Sequence, residues 1–225
     1  MYETLVQNPH GMGKSSFAKI SEQQGLYTTV DDLWENWMPA EAEFQKARLN
    51  PDLPFQSYFS AWKSGFELSF STLSLEGDSQ AATEQFFRDV SQRAPYPDTD
   101  DAVTEVQKRW STAILSNADD GFLLPNLELL EVGFETVLTS EQAQIYKPRP
   151  ELFHLMLAQL GVTPDETAYV GDRQLEDVLG PTDAGMHPVW INRNNTPLNP
   201  NLPVPSHQIS SLSELPRLLA NGLAV

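Results

Sequence analysis

The sequence contains no cysteine. This absence excludes disulfide bonds, thiolate metal sites and thiol nucleophiles. The sequence also has no segment that resembles a secretory signal, in which a positively charged stretch precedes an apolar one. These two absences together predict a cytoplasmic protein.

Basic residues are few, because 14 Lys and Arg stand against 31 Asp and Glu and give a formal net charge of −17. Such a charge repels the phosphate backbone of nucleic acids, and no local cluster of Lys or Arg overcomes that repulsion. Nucleic acid is therefore not expected as a partner. No apolar run approaches the roughly 18 residues that a membrane span needs, so no membrane partner is expected either.

What the sequence does have is enough apolar material for a core. Its 225 residues are 40% hydrophobic and 10% aromatic, unlike a disordered chain. The composition predicts one folded unit, with room for an insertion.

The first part of the chain, over residues 11–97, has helical periodicity and no convincing strand. Its aromatic residues recur mostly at spacings of three, four or seven, which places them on helix faces. We expect most of these rings to form a core and a minority to line a substrate pocket. The rings are Phe44, Phe55, Tyr58, Phe59, Trp62, Phe66 and Phe70.

The second part of the chain alternates between short apolar runs and amphipathic helices. Such alternation predicts an α/β fold with a parallel sheet and right-handed crossovers. A helix over 98–109, with Asp98 among its capping residues, leads into this part, and a loop covers 196–205. The predicted strands are 112–115, 134–138, 167–170 and 188–191, and the predicted helices are 123–132, 151–160, 175–184 and 212–219.

Polar residues follow three of these strands. Ser116 and Asn117 follow the first, Lys147 lies beyond the second, and Asp172 with Asp177 follows the third. Ligands of parallel sheets bind beyond the carboxyl ends of the strands, so these side chains are the candidate site residues. Each one alone also has a plain structural interpretation as a turn, a helix cap or a solvated charge.

The residue types at these positions suit the handling of an anion. Asp172 and Asp177 offer hard oxygen ligands that are suited to Mg²⁺. Ser116 and Asn117 can hold an oxyanion, and Lys147 can offset charge on a phosphoryl or carboxyl group. A nucleophile is missing from this set.

At this point the chain resembles the haloacid dehalogenase (HAD) superfamily. The stretches 114–117, 146–150 and 171–178 are similar to its second, third and fourth motifs. The resemblance implies a Rossmann-like core with an inserted helical cap. The implied domains are a core remnant over 1–10, a helical cap over 11–97 and the core over 98–225.

The first motif of that family is an aspartate nucleophile followed by a residue, then Asp or Tyr, and Gly-Thr-Leu. Aligning Tyr2, Thr4 and Leu5 with this motif places the nucleophile immediately before Met1. We expect a start codon that was assigned too late; the alternative is a pseudoenzyme that lost its first strand. The chain from Met1 onward is then expected to be inactive, because it lacks the aspartate that would form the covalent intermediate.

The resemblance leaves two reaction classes open. Asp172 with Asp177 is similar to the metal-binding motif of the phosphatases, in which the Tyr2 main-chain carbonyl would also bind Mg²⁺. Tyr2 itself is similar to the 2-haloacid dehalogenases, which need no metal. We favour a Mg²⁺-dependent phosphatase of a small phosphorylated metabolite. The alternatives are a dehalogenase and a non-catalytic binding protein.

Two further patterns are interpreted structurally. The stretch 11–16 contains Gly-Lys-Ser but lacks the earlier glycine and the preceding strand of a phosphate-binding loop. We therefore expect Ser15 or Ser16 to cap a helix. The histidines, which are His10, His154, His187 and His207, show no metal-ligand spacing.

Overall fold

A computed structural model describes residues 1–8 and 12–222 of the chain. His10 and Gly11, which the sequence analysis considered, lie outside these residues. Contacts divide the chain into two compact units. Unit 1 comprises residues 1–7, 94–117 and 127–225, and unit 2 comprises residues 8–93 and 118–126.

The described residues of unit 2, which are 8, 12–93 and 118–126, form four long helices and a shorter one. The long helices are α1 (Met12–Gln24), α2 (Val30–Ala47), α3 (Tyr58–Thr72) and α4 (Ser79–Val90). Because α1 already begins at Met12, Ser15 and Ser16 lie inside it, and the prediction that one of them caps it is wrong. The side chains that cap the other helices are Thr29 on α2, Ser57 on α3 and Asp78 on α4.

The core of unit 2 is aromatic, as the periodicity predicted. The Phe17 ring lies at its centre, with ring centroids 5.0 Å from Phe66, 5.3 Å from Trp37 and 5.7 Å from Phe86. Edge-on and tilted ring pairs of this kind add to the free energy gained by burying the rings. Of the seven predicted rings, Phe44, Tyr58, Trp62, Phe66 and Phe70 are buried and Phe55 and Phe59 are half-buried.

The shorter helix of unit 2 is α6 (Asp120–Leu127). The sequence analysis predicted a helix over 123–132 instead, and that prediction is wrong at both ends. The helix begins instead at Asp120, whose charge suits a helix N-terminus, and it contains Pro125, which lacks the amide donor of an ordinary helix residue. Residues 118–126, which the sequence analysis grouped with 98–225, cluster with unit 2.

A buried carboxylate ties this short segment to α3. Asp119 is almost fully buried and accepts hydrogen bonds from the main-chain amides of Tyr58 (3.0 Å) and Phe59 (2.8 Å). Both amides belong to the first turn of α3, which has no hydrogen-bond partners within the helix. Asp119 thus satisfies two of the donors at the start of α3.

Replacing Asp119 by alanine is expected to destabilise unit 2 by about 2 kcal/mol, since two buried amides lose a charged acceptor. Urea unfolding followed by the fluorescence of the tryptophans in unit 2 measures this loss. Asp119→Asn keeps one acceptor oxygen and is expected to lose about half as much. The exposed Asp52→Ala serves as the control, and equal midpoints for both alanine variants would contradict the prediction.

In the part of unit 1 that the structure describes, five parallel strands form two sheets. In the first sheet β1 (Ala113–Ser116) pairs with β2 (Thr136–Thr139). In the second the order is β3 (Ala168–Gly171), β4 (His187–Ile191) and β5 (His207–Ile209). The predicted α/β class with parallel strands is confirmed, although the sequence analysis described a single sheet and missed β5.

The α-helices described in unit 1 precede, connect or follow these strands. They are α5 (Thr99–Gln107), α7 (Ser140–Ala143), α8 (Pro150–Leu160), α9 (Gly180–Asp183) and α10 (Leu215–Ala220). A π-helical turn (Gln174–Leu179) precedes α9, so the single helix predicted over 175–184 is wrong. The new helix begins at Gly180, where only glycine fits because a Cβ there would lie 2.7 Å from the Phe153 ring.

A hydrophobic core of unit 1 lies between β1, β2 and α8. It includes the buried side chains of Leu115, Leu138, Leu152 and Phe153. Gly161 ends α8 in the left-handed conformation (φ 67°), as predicted. None of the helices within residues 1–8 and 12–222 is both long enough and apolar enough to cross a membrane.

A cavity of about 730 Å³ lies within unit 1. Residues of both β1 and β3 line it, among them Ile114, Leu115 and Val170, and Met1 lines it as well. The Tyr169 hydroxyl reaches from β3 to β1 and donates a hydrogen bond to the Leu115 carbonyl (2.9 Å). Strand β1 of the first sheet and strand β3 of the second sheet therefore both border this cavity.

Candidate active site

The carboxyl ends of β1 and β3, with the loop before α8, bring several of the predicted site residues together. Lys147 and Asp177 form a buried ion pair, with 2.5 Å between Nζ and Oδ1. Lys147 Nζ also donates to the Tyr169 hydroxyl at 2.9 Å. The two candidate residues of opposite charge thus neutralise each other at the centre of this group.

Lys147 is held as a cation. Burial alone lowers the pKa of its ammonium group, but the negative charge of Asp177 more than offsets this, so the pKa lies above its usual range. Burial has the opposite effect on Asp177 and raises its pKa. The positive charge of Lys147 lowers that pKa by a larger amount, so the pKa of Asp177 lies below its usual value. Both groups are therefore charged at neutral pH.

The position of Asp177 depends on the π-helical turn and on a glycine. Asp177 Oδ2 accepts a hydrogen bond from the Arg173 amide at 2.9 Å, which closes the carboxylate back onto the start of the turn. A side chain at Gly171 would lie 2.4 Å from the carboxyl carbon of Asp177. Glycine is thus required at the end of β3 for the carboxylate to fit.

Asn117 holds the main chain of Lys147. Its Oδ1 accepts from the Lys147 amide at 2.8 Å, and its Nδ2 donates to the Lys147 carbonyl (3.2 Å) and to Glu176 Oε2 (3.3 Å). This paired contact fixes the backbone from which the lysine side chain extends. Ser116 is buried at the end of β1, opposite Thr139 of β2 in the parallel register.

Asp172 is the second carboxylate of the site. It accepts a hydrogen bond from the Thr4 hydroxyl at 3.1 Å, and within residues 1–8 and 12–222 no Lys or Arg forms an ion pair with it. Burial and the negative charge of Asp177 raise its pKa to about 6. Asp172 thus has no Lys or Arg ion-pair partner among the described residues, and the Met1 amino group and Lys147 only partly offset the rise of its pKa.

The loop of residues 1–6 lies against this carboxylate. The Met1 carbonyl accepts from the amides of Leu5 (2.8 Å) and Val6 (3.1 Å), so the loop closes on itself and bridges Tyr2 to Val6. Burial and Lys147 lower the pKa of the Met1 amino group to about 6, although Asp172 and Asp177 act to raise it. The Met1 nitrogen thus lies within electrostatic reach of all three site charges.

The fit of a divalent cation to this site is tested by its donor set. Within the described residues no group of three or more His, Asp and Glu is placed to hold a metal ion. Mg²⁺, however, is commonly held through one or two carboxylates together with waters and substrate phosphates. Asp172 and Asp177 are two carboxylates of this kind, although the oxygens of Asp177 already accept hydrogen bonds from Lys147 and the Arg173 amide.

Three residues of the site were given no role by the sequence analysis. Thr4 was aligned with the first motif only, and Tyr169 was counted as an ordinary strand residue. Arg193, whose guanidinium donates to the Thr4 carbonyl at 2.8 Å, carried no signal at all. Tyr169 had a weak signal, because an aromatic hydroxyl in a short buried strand needs a partner.

The parallel strands, the crossover helices and the acidic site with a buried lysine at the strand ends define an α/β protein with a Rossmann-like core. A family model described as haloacid dehalogenase-like hydrolase matches residues 2–185. The chain belongs to this family, as the motifs indicated.

Curated relatives carry two kinds of name. The chain is 34% identical to a phosphoserine phosphatase of Thermus thermophilus over 140 residues, which are 59% of this chain and 54% of that protein. It is 29% identical to (S)-2-haloacid dehalogenase 4A of Burkholderia cepacia over 149 residues, which are 65% and 64% of the two chains. The matches thus span between half and two thirds of these relatives.

Solved structures share the fold over nearly the whole chain. The L-2-haloacid dehalogenase of Xanthobacter autotrophicus, solved with chloropropionic acid covalently bound, superposes with a TM-score of 0.73 at 22% identity. The match covers 99% of this chain and 96% of that one. At this identity the likeness extends to the fold alone.

Proposed function

We propose that the chain belongs to a Mg²⁺-dependent phosphatase that hydrolyses a small phosphorylated metabolite. The observation that carries this proposal is Asp172, a carboxylate whose pKa is raised to about 6 by burial and by Asp177 while Lys147 is already paired. A cation at this place offsets the surplus negative charge. Asp172, Asp177 and the Tyr2 carbonyl are the groups proposed to hold it.

The nucleophile in this proposal is an aspartate bonded directly to the Met1 nitrogen. Lys147, Asp172 and Asp177 all act on the pKa of that nitrogen, which supports a place for the preceding side chain near these groups. The cavity between β1 and β3 supports an apolar strand that leads to this aspartate. The same proposal assigns the helices of unit 2 to a cap that selects the substrate.

The proposed reaction has two displacements. The aspartate oxygen attacks phosphorus while the ester bond to the alcohol breaks, and water then hydrolyses the aspartyl phosphate. A bound Mg²⁺ would offset the charge of the phosphoryl oxygens. Lys147 holds Asp177, Asn117 holds the backbone of Lys147, and Ser116 lies at the strand end where the transferred group is expected.

A second candidate is a 2-haloacid dehalogenase. Tyr2 favours this candidate, because the phosphatases use a second aspartate at that position as acid and base and a tyrosine is a poor replacement for it. The similarity to (S)-2-haloacid dehalogenase 4A also favours it. In that reaction the aspartate displaces halide from carbon, and no metal is required. We favour the phosphatase because of Asp172.

The test uses the chain extended before Met1 by the residues encoded directly upstream. An in-frame apolar strand that ends in aspartate supports the proposed nucleophile, and a stop codon at that place refutes it. We expect the extended chain to hydrolyse p-nitrophenyl phosphate slowly and only with Mg²⁺, because Tyr2 removes about 10²–10⁴-fold of acid and base assistance. Asp172→Asn is expected to remove most of this activity.

Chloride release from 2-chloropropionate that persists in EDTA is the result expected of a dehalogenase, and it would overturn the phosphatase. The exposed Asp183→Asn is the matched control, since it alters a carboxylate in the same unit without touching the site. Absence of both activities in the extended chain would favour a binding protein.

A further inference from the structure

The carboxyl end of β4 holds two main-chain carbonyls of the site. Trp190 Nε1 donates to the Asp172 carbonyl at 2.7 Å, and Arg193 donates to the Thr4 carbonyl at 2.8 Å. The side chains of Thr4 and Asp172 are themselves joined, with 3.1 Å between Oγ1 and Oδ1. One short segment, 190–193, therefore fixes both partners of the hydrogen bond that orients the Asp172 carboxylate.

Arg193 is itself held from three sides. Its two terminal nitrogens donate to the two oxygens of Asp98 at 3.0 and 2.9 Å, and its guanidinium lies 3.8 Å from the centre of the Tyr96 ring. Asp98 also accepts from the Ser211 hydroxyl (2.6 Å) and the Leu212 amide (2.8 Å). A planar guanidinium in a paired and stacked setting has one orientation, which a lysine ammonium cannot reproduce.

The loop that Arg193 contacts needs such support. Glu3 lies in the left-handed region (φ 55°), a conformation that costs about 1–2 kcal/mol for a residue with a side chain. The Tyr96 hydroxyl donates to Glu3 Oε2 at 3.0 Å, while the Tyr96 amide donates to the Leu5 carbonyl at 2.9 Å. The same ring that stacks on Arg193 thus also holds the strained residue.

We propose that Arg193 is a positioning residue of the site, which acts through Thr4 to set the orientation of Asp172. This inference rests on the proposed function, because it concerns the carboxylate that is proposed to hold Mg²⁺. Without the guanidinium the Thr4 carbonyl loses its donor and the loop relaxes from its strained turn. The Thr4 hydroxyl then no longer fixes the rotamer of Asp172.

A purely structural ion pair would behave differently. The Arg193 and Asp98 side chains are 11% and 18% exposed, so breaking the pair also lowers global stability. Global destabilisation raises amide exchange in all the core elements of unit 1 together. A positioning role raises exchange in the loop first, because that loop opens while the remaining core stays closed.

The experiment compares Arg193→Lys with wild type and with the exposed Arg217→Lys in the same unit. Site-resolved hydrogen exchange is measured by NMR in metal-free buffer. We expect the Leu5 and Val6 amides to exchange at least about tenfold faster in Arg193→Lys, with the amides of α8 unchanged. Unchanged loop amides, or an equal rise in the loop and in α8, would overturn the proposal.

Mg²⁺ titration calorimetry gives a second readout. We expect Arg193→Lys to weaken Mg²⁺ binding about 10- to 100-fold, the effect typical of losing a group that orients a ligand, and Arg217→Lys to leave it unchanged. Equal Mg²⁺ affinities in the wild type and Arg193→Lys would also overturn the proposal. Absence of Mg²⁺ binding in the wild type would refute the proposed function alone, since the exchange result still decides the role of Arg193.

Discussion

Lys147→Met is expected to cost about 3–5 kcal/mol of folding free energy, because it leaves the carboxylate of Asp177 buried without its cation. Both side chains of this pair are almost fully buried and only 2.5 Å apart. A typical domain has about 5–15 kcal/mol in total, so this loss is a large share of it. Denaturant titration followed by circular dichroism measures the change in midpoint.

A pH series identifies the origin of this loss. In the variant, burial raises the pKa of Asp177 with no lysine to lower it, so the folded state takes up a proton more readily than the unfolded state. Stability then falls as pH rises, and the difference from wild type is expected to be larger at pH 8 than at pH 5. A difference independent of pH would show that lost packing is the cause.

Two variants complete the comparison. Adding Asp177→Asn to Lys147→Met removes the unpaired charge and is expected to recover at least half of the loss, since the Arg173 amide keeps an acceptor. Lys108→Met removes an ion pair of equal length, 2.5 Å to Glu105, but both of its side chains are exposed. It is expected to cost less than about 1 kcal/mol.

Asp172→Asn is expected to make the chain more stable in EDTA above pH 7, by about 2–3 kcal/mol. The pKa of Asp172 is about 6 in the folded state and about 3.9 in an unfolded chain. Between these values the folded state binds more protons, so the wild type loses stability as pH rises from about 4 to about 6. Asparagine does not titrate and avoids this loss.

Thermal denaturation at pH 4 and pH 8 measures the effect, with the exposed Asp183→Asn as control. The stabilities of the wild type and of Asp172→Asn are expected to differ little at pH 4 and most at pH 8. Mg²⁺ at ten times its dissociation constant should return about 1.4 kcal/mol to the wild type and nothing to Asp172→Asn. A variant that is less stable than wild type at pH 8 would show that the Asp172 charge is compensated.

The pattern of alternating elements predicted the fold class correctly, because apolar runs and helical periods are local features of the sequence. The sequence also placed Lys147 and Asp177 in one site, because the carboxyl ends of parallel strands meet at one edge of a sheet, and the structure brings the two side chains together. What spacing cannot give is the partner of each atom. Asn117, which was expected to contact the substrate, has both ends of its amide on Lys147 and Glu176.

Asp98 shows why local rules failed at particular points. Its position before α5 indicated a helix cap, yet its side chain forms no capping hydrogen bond and instead binds Arg193. An arginine 95 residues away offers two charged hydrogen bonds against the single neutral one of a cap. The strand β5 was missed because its three residues are too few for a period to be visible.

The partners of the loop 1–6 have a consequence for synthesis. Thr4 of the loop is bound to Asp172, 168 residues away, and to Arg193, 189 residues away, and the adjoining Gln7 is bound to Pro95, 88 residues away. A ribosome makes these seven or so residues long before it makes the last of those partners. The contacts to Pro95 and Tyr96 can form once the first half of the chain has emerged, whereas those to Asp172 and Arg193 form only after β4 has left the exit tunnel. The Asp172 side of the site is therefore the last to acquire its hydrogen bonds during synthesis.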